Sequence, residues 1–71
     1  MTDMERKHLA EADRHIAKCK AHIARQQKRI RQMTLYGQST LWARDTLGAM
    51  EAGLHALERH RERIVSGSDA G

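Results

Sequence analysis

The stretch LAEADRHIAKCKAHIARQQKRIRQMTLY, residues 9–36, decides the fold. Cut into sevens, each block opens on an aliphatic residue: Leu9, Ile16, Ile23 and Ile30. Ala12, Cys19, Gln26 and Met33 follow these at three residues' distance, so the stripe runs in alternating steps of three and four, broken only by Gln26. That spacing is the seam of an amphipathic helix packed lengthwise on another helix. Upstream, Thr2 and Glu5 have the spacing of a capping box, which places the helix start there.

Downstream lies TLYGQST, residues 34–40. Gly37 suits the left-handed conformation that ends a helix, and Ser39 or Thr40 suits the cap of the next one. A second stripe then follows in the same steps: Thr40, Ala43, Leu47, Met50, Leu54, Leu57, Arg61 and Ile64. A short connection makes two helices antiparallel neighbours. Pairing Met33 with Thr40 across the turn then matches Ile30 with Ala43, Gln26 with Leu47, Ile23 with Met50 and Cys19 with Leu54. The same register pairs Ile16 with Leu57, Ala12 with Arg61 and Leu9 with Ile64. Two stripes read independently thus share one register.

The expected fold is all-α: an antiparallel two-helix hairpin, coiled-coil-like, over residues 1–65. Helix 1 is predicted over about 3–34, the turn over about 35–39 and helix 2 over about 40–65. The polar SGSDAG end, residues 66–71, is expected to be a disordered tail. Composition agrees with this reading, because the chain has no Phe or Pro, one Trp and one Tyr, and is rich in strong helix formers.

A chain of 71 residues rarely buries enough apolar surface to be stable alone, so a partner surface is expected. The outer faces carry Ala10, Ala17 and Ala24 on helix 1 and Trp42, Ala49 and Ala56 on helix 2, each series at a spacing of seven. Gly48 and Gly53 lie mid-helix, where glycine costs about 1 kcal/mol relative to alanine unless close approach compensates. These features make seats for a second helix pair, and a homodimer forming a four-helix bundle is expected. The competing reading is that alanine simply favours helix on an exposed face.

His8, His15 and His22 also recur at sevens. On a helix that spacing separates them by about 10.5 Å, too far to share an ion. His15, Cys19 and His22 offer i, i+4 and i+3 pairs of soft ligands, but two ligands leave a zinc site incomplete, and Cys19 occupies a core position. The histidines are read as flanking the seam, with no metal site and no cofactor expected. Two such columns meeting in a dimer would repel on protonation near about pH 6.

The formal net charge is +4, unevenly spread. No acid occurs from Arg14 through Arg44, whereas at the open end Arg59, Arg61 and Arg63 face the acids of helix 1. The turn end is therefore markedly basic, and Trp42, Arg25, Lys28, Arg29, Arg31 and Arg44 are the expected partner-binding residues. A solvated face arranged to suit the helix dipole is the competing explanation. No helix-turn-helix, zinc finger or aromatic RNA-binding motif accompanies the basic run, which argues against sequence-specific base reading. With no glycine-rich phosphate loop and no activated-nucleophile motif, no enzyme is expected. A single cysteine and a charged N-terminus without an apolar run predict a cytoplasmic protein with no membrane partner.

LAEADRHIA at 9–17, YGQST at 36–40 and LERHRERI at 57–64 resemble a group of small, uncharacterised helical-hairpin proteins common in proteobacterial genomes. An AERHIA-like start, a glycine followed by a capping residue and Thr, and an HRxRI-like finish recur in that group. The resemblance spans residues 8–65, and Lys18, Cys19 and Lys20 stand where more acidic or glycine-containing sequence is usual. It implies the hairpin and no activity. The expected function is a small non-catalytic binding or regulatory module acting through protein–protein interaction with itself and an unidentified protein. The alternative is a nucleic-acid-associated protein, or an inhibitor of a nucleic-acid-binding machine, using the basic turn end.

Overall fold

The computed structural model describes residues 2–70, with the side chains of residues 2–67. Helix α1 spans Asp3–Leu35 and helix α2 spans Leu41–Ala70. The two pack side by side as an antiparallel hairpin, a rod of 54 × 15 × 11 Å. Its radius of gyration is 16.3 Å, against roughly 11 Å for a globular chain of this length.

Local chemistry sets both ends of α1. The Glu5 amide donates to Thr2 Oγ1 at 3.1 Å while the Thr2 amide donates to Glu5 Oε1 at 3.3 Å, completing the capping box. At the other end Gly37 adopts φ +70°. The Gln38 amide reaches back to the Met33 carbonyl at 2.9 Å and the Gly37 amide to that of Thr34 at 3.1 Å. These are the two bonds of a Schellman motif, which satisfies carbonyls that a helix end otherwise leaves open. Thr40 then starts α2: its carbonyl accepts the Arg44 amide at 2.8 Å. α2 continues through Ser66 and Gly67 to Ala70, beyond the boundary near 65 that the sequence suggests, in a chain without a helix-breaking proline. Gly71 lies outside the described residues.

Cross-helix contacts verify the register. In an α-helix the carbonyl of residue i points at the amide of residue i+4, so the Ala43 oxygen lies beside Leu47 and the Met50 oxygen beside Leu54. Gln26 Nε2 donates to Ala43 O at 2.9 Å, and Cys19 Sγ donates to Met50 O at 3.6 Å. Gln26 and Cys19 thus meet the partner turns that the stripes assign to them. Gln26, the one break in the first stripe, is a satisfied polar group, and its bond holds only when the helices are in this alignment. Near the open end Arg61 Nε meets Asp13 Oδ1 at 2.6 Å. Both side chains are about half exposed, so the pair adds little stability.

All sixteen stripe residues avoid full exposure, and among the described side chains only Glu5, Glu11, Glu58 and Val65 join them. Yet only Ala12, at 4%, and Ile23, at 9% exposure, are buried. Two helices form one line of contact, and every other seam side chain keeps a flank to water.

Candidate functional site

Among the described side chains, the hairpin tip holds four of the five large apolar ones that face solvent, Met4 near the open end being the other. Residues 32–43 carry no charge, while Arg31 and Arg44 bracket them and Arg29, Lys28 and Arg25 follow behind. Within this cap four large apolar side chains face solvent: Leu35 at 84%, Tyr36 at 81%, Leu41 at 71% and Trp42 at 87% exposure. They protrude because the stripes do not include them. Met33 and Thr40 close the seam, and the residues between and beside them point outward from a turn only a few residues long.

Some of the cap's polar groups are bonded within the chain. The carbonyls of Gln32, Met33, Thr34 and Thr40 accept backbone amides. Thr34 Oγ1 donates to Ile30 O and Thr46 Oγ1 to Trp42 O, both at 2.9 Å. Arg44 Nε donates to Thr40 Oγ1 at 2.9 Å, which holds that guanidinium against the first turn of α2.

Two open grooves flank the tip. One, of about 530 Å³, is lined by Gln26, Arg29, Met33, Ser39, Trp42, Ala43 and Thr46. The other, of about 410 Å³, is lined by Ile30, Arg31, Thr34, Leu35 and Arg44. The expected contact residues are thereby divided. Trp42 and Arg29 share one flank, Arg31 and Arg44 share the other, and Arg25 and Lys28 are exposed farther along α1, lining neither groove. Leu35, Tyr36 and Leu41 were not among the expected contacts. Their signal was present, since each is a large apolar residue off the stripe and next to the turn.

A period of seven extends these flanks along the rod. Ala49 and Ala56 follow Trp42, Gly53 follows Thr46, and His22, His15 and His8 precede Arg29, so all lie on the flank of the larger groove. Ala24, Ala17 and Ala10 precede Arg31 and lie on the opposite flank. The two alanine series therefore do not form one surface, and a single second helix pair cannot cover both. Cys19 lies in the seam, whereas His15 and His22 are exposed beside it. Among the described residues, no three His, Cys, Asp or Glu side chains gather as a metal site would require.

No known family matches the chain, nor does any curated protein or solved structure.

Proposed function

We propose that the chain is a small non-catalytic binding module that acts through protein–protein contact, first of all with a second copy of itself. The observation that carries this reading is the unfinished core. The surface area is 5626 Å², whereas a globular monomer of 8.1 kDa exposes roughly 4,500 Å². Covering that excess on two chains removes roughly 2,200 Å² from water, the size of a permanent dimer interface.

The flank carrying Ala49, Gly53 and Ala56 is the natural seat. A Cβ built on Gly53 meets nothing within 4 Å, so no contact inside the hairpin explains a mid-helix glycine there. The groove beside it offers an arginine, a tryptophan and hydroxyls, with no base placed to activate a nucleophile. A second reading, nucleic-acid association, draws support from the acid-free stretch between Asp13 and Asp45.

Sedimentation equilibrium across a range of concentrations tests the dimer, which is expected to appear as twice the chain mass. A single chain mass at every concentration would remove the dimer.

A further inference from the structure

We infer that the hairpin tip is a docking point for an anionic lipid surface, entered by Leu35, Tyr36, Leu41 and Trp42 and clamped by Arg31 and Arg44. The inference goes beyond the dimer and needs only the hairpin: Trp42 borders the flank proposed for the dimer, whereas Leu35, Tyr36 and Leu41 lie outside the groove on that flank.

Three observations converge on it. The cap is uncharged for twelve residues, 32–43, and its large exposed apolar members include the single Trp and the single Tyr of the chain. Those two side chains favour the boundary between headgroups and hydrocarbon. Next, the turn's hydrogen bonds are internal, including the Schellman pair and the threonine back-bonds. These bonds satisfy the Gln32, Met33 and Thr34 carbonyls at the end of α1, while the amides of residues 39–43 stay with water or headgroups, so only side chains enter the apolar layer.

The third observation is the depth of the charges. Arg31 precedes Leu35 by four residues, about 6 Å behind it at helical rise, and Arg44 follows Leu41 by three, about 4.5 Å behind, with its Nε turned back to Thr40 Oγ1. The headgroup layer of a bilayer is about 5–8 Å thick on each side. With the apolar tips at the hydrocarbon boundary, Arg31 falls at the phosphates and Arg44, bonded to Thr40 Oγ1, lies at the tip-side edge of the same layer; the nearest acid is Asp45 beside Arg44.

Other occupants fit less well. Tip-to-tip contact with a second copy would press the two arginine collars together. Nucleic acid or an acidic protein would engage the collar but leave the two leucines in water. The sequence alone predicts no membrane partner, and among the described residues no helix is long and apolar enough to cross a membrane, but docking on a surface requires no crossing.

Trp42, as the one tryptophan, reports the event directly. The full chain is titrated with vesicles of phosphatidylcholine containing phosphatidylglycerol at about one part in three, and with phosphatidylcholine alone. The expected result is a blue shift of Trp42 emission on the anionic vesicles, with quenching by lipids brominated on their acyl chains. Arg31→Gln and Arg44→Gln should each weaken partition about five-fold. The double variant Leu35→Asp with Leu41→Asp should abolish it while circular dichroism confirms an intact hairpin.

Polyglutamate and duplex DNA serve as soluble polyanions of matched charge. An equal spectral response to either would overturn the inference in favour of a general polyanion site. So would unchanged emission with anionic vesicles, or full partition by the double leucine variant. A Trp42 emission that is already blue in buffer and depends on protein concentration would assign the tip to a second copy and equally overturn it. Sedimentation reads the dimer separately, so either proposal can fail alone.

Discussion

Replacing Ile23 by alanine tests the seam where it is most enclosed. Ile23 is the one large side chain among the buried residues, at 9% exposure, and the register sets it opposite Met50. The change removes three carbons, each worth about 0.8 kcal/mol when buried, or about 2.4 kcal/mol of transfer free energy. The seam is open along both sides, so neighbours can relax into the gap, and the cavity contribution should be small. A loss of about 2.5–3 kcal/mol is expected from a total of about 4–11 kcal/mol for a chain of this length. At about 4–8 °C per kcal/mol, the melting temperature should fall by about 10–24 °C. Urea titration followed by helical circular dichroism, at one protein concentration throughout, measures it. Leu35→Ala, at an 84% exposed position, is the control and should stay within about 0.5 kcal/mol of the parent. If Ile23→Ala and Leu35→Ala cost the same, the stripes do not carry the fold and the register argument fails.

Two further substitutions separate local from intermolecular effects. Gly37→Ala should cost about 1–2 kcal/mol, all of it conformational, because φ is +70° and a Cβ there meets nothing within 4 Å. Gly37→Asn should recover part of that loss in the same urea titration, since Asn tolerates this conformation better. Gly53→Ala should stabilise the dilute hairpin by about 1 kcal/mol through helix propensity. Sedimentation of the same variant should show weaker self-association, whereas unchanged association would place the dimer contact on the other flank.

Much of the hairpin is legible from short-range pattern. Each stripe sets the phase of its own helix, and a turn of a few residues allows only one alignment between them. The later contacts of Gln26 with Ala43 and Cys19 with Met50 follow from that alignment. Thr2 with Glu5, and Gly37, announce helix ends because capping bonds span only a few residues. The tip was harder to read. Its arginines form a visible charge run, but Leu35, Tyr36 and Leu41 look like ordinary helix residues until it is known that nothing packs over them.

By itself, then, the order of residues determined two amphipathic helices, their reversal at Gly37 and their mutual register, because these depend on local period and on loop length. Only the tertiary structure decided how completely the seam is covered. It left all but Ala12 and Ile23 with a flank toward water, placed the two alanine series on opposite sides, and gathered four apolar side chains at one exposed end. The physical reason is that a hydrophobic pattern states which side of a helix avoids water, while burial depends on how many other surfaces arrive to cover it.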